Sequence, residues 1–287
     1  MNRQRIEDHL RTLADTELRT ITPVSGGSIA AAYQITTGDG SRLFIKTAPQ
    51  FPDMFEREAR GLKELSAANT VRIPEVIGVN EEILILEFLP TASVRPTTFQ
   101  SALGAALVRL HRATAAEFGF TEDNYIGATP QVNRPQRSSW KEFFVVQRLE
   151  YQVRLAERNR YDDREITALV HRIERMIDRL IPDDGEPPAL LHGDLWSGNV
   201  LCLEDGTPAL IDPAVYYGHR EMELGMTRLF GGFDERFYAA YNESYPLNDE
   251  WERRTDLYSL YHLFNHLNLF GKSYQAQIYD TLKRLLN

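Results

Sequence analysis

The residues best equipped for chemistry are concentrated between Leu190 and Pro213: His192-Gly193-Asp194, then Asn199, then Asp212. Apolar Leu190-Leu191 and Val200-Leu201 bracket the first cluster, and Leu210-Ile211 leads into Asp212. Asp194 and Asn199 therefore belong to one loop between buried segments, with Asp212 closing the next short strand. A carboxylate so placed can orient a hydroxyl and accept its proton, while an amide oxygen and a second carboxylate are hard donors suited to Mg²⁺ on phosphate. The spacing His-x-Asp-x-x-x-x-Asn followed by a strand-ending Asp is that of a phosphoryl-transfer loop. Turn chemistry explains any one of these residues but seldom three at this spacing.

Such a loop needs a cation for the phosphates. Lys46 interrupts the apolar strand Leu43-Phe44-Ile45, where an unpaired ammonium is costly. The next helix, starting near Pro52-Asp53, carries Phe55, Glu58, Ala59, Leu62 and Leu65 on one face, and Glu58 is the single charge on that stripe. Lys46 and Glu58 are thus expected to pair, with Lys46 reaching the nucleotide phosphates. A purely structural buried salt bridge is the competing reading, and Asp194 downstream weighs against it. A charged helix at 4–13 comes first, and Ile21 to Ala48 reads as three strands. Their turns are Ser25-Gly26-Gly27-Ser28 and Gly38-Asp39-Gly40. Gly26, Gly27 and Ser28 would let backbone N–H groups approach a phosphate, although paired glycines alone more often mean only a hairpin. Val76–Val79 and Ile83–Leu86 complete a five-stranded antiparallel sheet. Glu87-Phe88-Leu89 then stand where an interlobe hinge would offer its backbone to an adenine edge.

Beyond the hinge the pattern is mainly helical. Thr97 to Ala116 carries Leu103, Leu107, Leu110 and His111 on one face, where His111 is expected as a satisfied core histidine. Residues 118–138, with Gly119, Gly127, Pro130 and Pro135, read as a long loop and candidate wall of a substrate pocket. Helices follow at about 139–160 and 164–181. Tyr216 to Glu221 reads as a polar turn, and the remaining helices fall at about 221–230, 234–243, 250–268 and 273–286. His262 and His266 lack the intervening Glu of a zinc-protease motif and are expected to pack. The expected architecture is α+β and bilobal, with a small antiparallel sheet in residues 1–89 binding nucleotide and a larger, mainly helical lobe in 90–287.

The composition of 43% hydrophobic and 25% charged residues over 287 positions argues against long disorder. A formal charge of −9 disfavours nucleic acid as the main partner. The single cysteine, Cys202, cannot form an internal disulfide and sits in an apolar run, as expected for a small buried residue in a reducing compartment. With no signal-peptide core and no apolar run long enough to span a bilayer, a cytoplasmic protein without a membrane partner is expected.

The motif His192-Gly193-Asp194-Leu195-Trp196-Ser197-Gly198-Asn199 with Asp212-Pro213 resembles the fructosamine kinase (ketosamine-3-kinase) family, within the wider aminoglycoside-phosphotransferase-like, protein-kinase-like group. The resemblance extends through Gly119-Phe120, Asp123-Asn124, Thr129-Pro130-Gln131, Trp140, Arg148-Leu149, Gly218-His219-Arg220-Glu221 and Leu229 to Phe233. It implies an ATP- and Mg²⁺-dependent kinase that phosphorylates the third-carbon hydroxyl of ketosamines, after which the adduct decomposes and releases the amine. Asp194 would be the base, Asn199 and Asp212 the metal ligands, and Lys46 with Glu58 would set the phosphates. Trp196 could form a flat wall for the sugar-amine, though a core aromatic is an equal reading, and His219 is a further substrate candidate. Ser28 stands where some relatives carry a glycine-loop cysteine, so thiol regulation is not expected. Another small-molecule kinase, acting on an aminoglycoside or choline, is the runner-up. A nucleotide-binding pseudokinase fits less well, because Lys46, Asp194, Asn199 and Asp212 are all present.

Overall fold

Five antiparallel strands form the sheet on which the first part of the chain is built: β1 (Leu18–Val24), β2 (Ala31–Thr37), β3 (Arg42–Thr47), β4 (Val76–Val79) and β5 (Ile83–Glu87), in the order β1-β2-β3-β5-β4. They are described from a computed structural model of the chain, in which residues 1–24, 30–181 and 185–287 are the described ones. Along β3 the side chains alternate. Leu43 and Ile45 enter a cluster with Ile35, Ile83 and Ile85, where Ile6 and Leu10 of helix α1 (Arg3–Ala14) close the core. Lys46, one residue on, faces the other way, as the pleat requires. Helix α2 (Met54–Ala67) buries Phe55, Ala59, Leu62 and Leu65, the stripe expected from the sequence, and Glu58 lies on it. A hairpin of β9 (Val200–Cys202) and β10 (Pro208–Leu210) belongs to the same compact unit, which comprises Met1–Phe99 and Val200–Pro213. The Ala92 N–H donates to the Cys202 carbonyl at 2.9 Å and the Leu210 N–H to the Arg72 carbonyl at 2.9 Å, which anchors the segment ending at Asp212.

The second unit comprises Gln100–Asn199 and Ala214–Asn287. Most of α3 (Phe99–His111) belongs to it, followed by the hairpin β6 (Asn124–Ile126) and β7 (Thr129–Gln131), so regular structure does occur inside the stretch expected to be only loop. The helix expected at 139–160 is divided: α4 (Trp140–Phe143), a π-helical stretch at Phe144–Leu149, and α5 (Glu150–Arg158). That wider turn lets Gln147, Arg148 and Leu149 all face inward. The next expected helix also divides, at Met176, into α6 (Arg164–Arg175) and α7 (Ile177–Leu180). β8 (Ala189–Leu191) pairs with β11 (Tyr216–Gly218), so the supposed polar turn begins as a strand. Helices α8 (Arg220–Leu229), α9 (Glu235–Ser244), α10 (Trp251–Phe270) and α11 (Gln275–Leu286) follow. Twelve residues of α10 are buried, including Leu257, Leu260, Tyr261 and Phe264, which marks a helix enclosed on most sides. Among the described residues no helix is long and apolar enough to cross a membrane.

Candidate active site

In the first unit the ammonium of Lys46 donates to Glu58 Oε1 and to Asp212 Oδ1, each at 2.7 Å. Burial opposes its charge, but Asp212 and Glu58 outweigh burial and raise its pKa, so Lys46 is a cation throughout the working range. The side chains of Lys46 and Glu58 are 11% and 14% exposed, whereas that of Asp212 is 43% exposed. One ammonium between two carboxylates leaves a formally negative cluster, open on the Asp212 side. Asp212 adopts φ +57°, a left-handed conformation rare for a residue with a Cβ.

Of the expected hinge residues, Glu87 ends β5 with its side chain engaged by Arg72 and by the Glu75 N–H at 3.1 Å. The Phe88 ring lies 4.5 Å from the Arg42 guanidinium carbon, and Leu89 is buried. Gly26, Gly27 and Ser28 lie outside the described residues.

The second unit holds the other half of the motif. The Asn199 amide nitrogen donates to the Asp194 backbone carbonyl at 2.9 Å and to Asp194 Oδ2 at 3.3 Å, which fixes the loop across its own width. Gly193 has φ +84°, and a Cβ there would fall 2.0 Å from the Ala214 carbonyl oxygen; only glycine allows the loop to lie so close to the strand beside it. The Ala214 N–H returns a bond to the His192 carbonyl at 2.8 Å. Trp196 is 41% exposed, which excludes the core reading. Its ring folds back over Gly198, where a Cβ would meet it at 2.2 Å.

Glu223 of α8, invisible as a site residue in the sequence, clamps this loop from beneath. Its two carboxylate oxygens accept the His192 and Gly193 backbone N–H groups, both at 2.8 Å, and the same carboxylate meets His111 Nε2 at 3.3 Å. Burial works against the Glu223 charge, but the bond to His111 and the loop contacts prevail and lower its pKa. His111 is pushed down by burial and bonds Tyr241 Oη at 2.8 Å, making it the satisfied core histidine expected. His219 is placed elsewhere: 3% exposed, stacked on Trp140 with centroids 6.1 Å apart, at the end of the β8–β11 ladder opposite to the one that leads into Asp194. The structure thus gathers Lys46, Glu58 and Asp212 in one unit and Asp194, Trp196 and Asn199 in the other. Among the described residues no group of three or more His, Cys, Asp or Glu side chains could hold a metal alone. The Asp212 carboxylate, 43% exposed, is a hard oxygen donor of the kind Mg²⁺ takes beside phosphate and water.

The fold is that of protein-kinase-like phosphotransferases. A thermostable mutant of aminoglycoside phosphotransferase APH(4)-Ia, solved as a ternary complex with AMP-PNP and hygromycin B, shares the fold with a TM-score of 0.68 at 18% identity, over 98% of this chain and 97% of that one. The family model for fructosamine kinase matches residues 2–287, and the chain belongs to that family. The chloroplastic protein-ribulosamine 3-kinase of Arabidopsis thaliana is 40% identical over 282 residues, covering 94% of this chain and 85% of the relative. A structure from Thermobifida fusca, provisionally named a fructosamine-3-kinase, matches with TM-score 0.90 at 34% identity over 99% of both chains.

Proposed function

We propose that the protein transfers the γ-phosphoryl group of ATP to the 3-hydroxyl of a ketosamine, with Mg²⁺ as the cation, and that the acceptor sugar is a ribulosamine or erythrulosamine before a fructosamine. The observation that carries the kinase reading is the buried Lys46 held by Glu58 and Asp212 at 2.7 Å. The cluster has the charge and the exposed carboxylate that a metal–nucleotide donor needs. In this reading residues 1–89 bind nucleotide and 90–287 carry catalysis and the acceptor. Lys46 takes the phosphates, Glu58 steadies Lys46, Gly26, Gly27 and Ser28 cover the phosphates, and the backbone of Glu87 to Leu89 meets adenine. Asn199 and Asp212 are the metal ligands, a pairing supported by their spacing in the chain and by family membership. Mg²⁺ supplies charge neutralisation on the phosphates when bound.

Asp194 orients the acceptor hydroxyl and takes its proton as the new O–P bond forms and the bond to ADP breaks. The Asn199 amide holds that carboxylate in place. Trp196, exposed beside the base, gives the sugar-amine an apolar face. His219 is a weaker substrate candidate, supported by the family motif alone. Small-molecule or protein-bound ketosamines are the partners, and the buried Cys202 agrees with a reducing, cytoplasmic setting. The test is ADP release with lysine-derived ribulosamine, erythrulosamine and fructosamine, set against aminoglycosides and choline. Turnover with an aminoglycoside or choline and with no ketosamine would refute the acceptor assignment. Nucleotide binding without turnover on any acceptor would leave a pseudokinase.

A further inference from the structure

Arg148 is fully buried on the π-helical stretch Phe144–Leu149, and among the described residues it forms no ion pair. Its guanidinium donates to the Val132 carbonyl, to the Gln147 carbonyl at 3.2 Å and to Asn133 Oδ1 at 2.7 Å. It also lies over the Tyr216, Phe143 and Tyr261 rings, 4.1, 4.5 and 5.4 Å from their centroids. Its Nε has no partner among the described residues. An isolated buried cation held by neutral dipoles and ring faces is an expensive way to fill space, and an apolar side chain of similar volume would usually be tolerated as well or better. What the guanidinium does that an apolar side chain cannot is hold several acceptors in a fixed planar fork.

Those acceptors lead toward Asp194 through an unbroken set of bonds within one compact unit. Asn133 Nδ2 donates to Asn124 Oδ1 at 2.9 Å, and Gln131 Nε2 donates to the same oxygen at 2.9 Å and to the Ala214 carbonyl at 2.9 Å. Asn124 Nδ2 donates to the Val215 carbonyl at 2.8 Å, and Tyr261 Oη donates to Gln131 Oε1 at 2.6 Å. Ala214 is the residue against which Gly193 is pressed, and its N–H holds the His192 carbonyl at 2.8 Å. The Asp194 charge also reaches this network, adding to burial in raising the Tyr261 pKa.

We infer that Arg148 is a positioning residue for phosphoryl transfer: through Asn133, Asn124 and Gln131 it sets the Ala214–Val215 backbone, and so the placement of Asp194 against the acceptor. The inference rests on the kinase reading above. It locates control of acceptor geometry in a side chain that touches no substrate.

The test uses the full chain and whichever acceptor the wild-type enzyme turns over best. Arg148→Lys and Tyr261→Phe are assayed well below their unfolding temperatures, with folded enzyme counted by nucleotide binding. Small displacements of a reacting group cost on the order of 10–100-fold, so Arg148→Lys should lower kcat by about that range while the KM for ATP stays within about twofold. Tyr261→Phe, which removes one bond of the same network, should shift the same parameter by less. Guanidinium at millimolar concentration added to Arg148→Ala should restore part of kcat where an equal concentration of methylammonium does not. Unchanged kcat per folded molecule in both Arg148→Lys and Tyr261→Phe would overturn the inference, as would equal losses in kcat and in ATP affinity. Should Arg148→Lys fail to fold, Tyr261→Phe decides alone. Failure of wild type on every ketosamine would count against the proposed acceptor and leave this comparison intact on the acceptor that is used.

Discussion

Replacing Glu223 by Ala removes the carboxylate that holds the loop carrying Asp194, and the size of the effect follows from its contacts. Glu223 is 2% exposed and accepts the His192 and Gly193 N–H groups at 2.8 Å each. Hydrogen bonds to a charged group are each worth about 1.5–3 kcal/mol, and removing the acceptor also leaves buried donors unpaired. Water entering the space of the lost side chain would offset part of this, so we expect a net destabilisation of about 3–5 kcal/mol. His111, which meets the same carboxylate at 3.3 Å, would keep its bond to Tyr241 at 2.8 Å and so limit the collapse. Glu223→Gln keeps shape and one good acceptor but turns an amide N–H₂ toward a backbone donor, so roughly half of that loss is expected. Urea denaturation reads the stability, and ADP release at a temperature where both variants remain folded reads the loop. Because Asp194 follows Gly193 directly, kcat should fall by about 10²-fold in Glu223→Ala, the usual scale for a misplaced catalytic group. A Glu223→Ala enzyme within about 1 kcal/mol of wild type and within a few-fold of its kcat would show that the clamp does not position the loop.

Asp194→Asn should keep nucleotide binding and lower turnover by ~10²–10⁴-fold, the range for loss of a general base; near-wild-type turnover would remove Asp194 from that role. Lys46→Ala and Glu58→Ala should each weaken productive ATP use, and a double-mutant cycle on ATP affinity should be non-additive by ~0.5–3 kcal/mol because the groups bond directly at 2.7 Å. Burial holds the pKa of His262 down at about 3, so the folded protein excludes a proton that the unfolded chain binds below its ordinary value of 6.5. The stability this leaves is complete above that value and is lost as pH falls toward 3, at about 1.4 kcal/mol per pH unit, or ~2 kcal/mol between pH 6.5 and 5. Denaturation at both pH values should show a smaller loss in His262→Leu than in wild type, and equal losses would place the acid sensitivity elsewhere.

What could be read from the sequence was whatever depends on short spacing. The α2 stripe sets Glu58 inward by helical periodicity, and the β3 pleat sets Lys46 opposite Leu43 and Ile45. The unpaired charge that each would otherwise bury made their pairing a physical requirement. Asp212 as a second partner of Lys46 was not legible, because 166 residues separate them and no local pattern couples β3 to the turn after β10. Short elements are illegible for a related reason. Tyr216–Gly218 and the β6–β7 hairpin contain three residues per strand, too few for alternation to show against their Gly, Pro and polar content.

The start of α8 shows most clearly why charge in a sequence does not reveal its setting. Arg220-Glu221-Met222-Glu223 looks like a solvated helix end, yet all four residues are buried. Each charge there is matched across the chain: Arg220 to Glu186 at 2.6 Å, Glu221 to Arg254 at 2.6 Å, and Glu223 to the loop N–H groups at 2.8 Å. A buried charge whose partner lies 30 or more positions away is indistinguishable in sequence from a surface one. What separates them is cost: an unmatched charge at any of these positions would be destabilising, so each residue requires its partner, whereas a solvated helix end would tolerate exchange. Glu223 differs from the other two in its partners. Glu221 is matched by the Arg254 side chain, and Arg220 by the Glu186 carboxylate together with the Tyr245 and Pro246 backbone carbonyls, whereas Glu223 accepts from the His192 and Gly193 backbone N–H groups, which cannot be substituted away. The carboxylate at 223 is thus the charge on α8 that ties the helix to the backbone of the loop carrying Asp194.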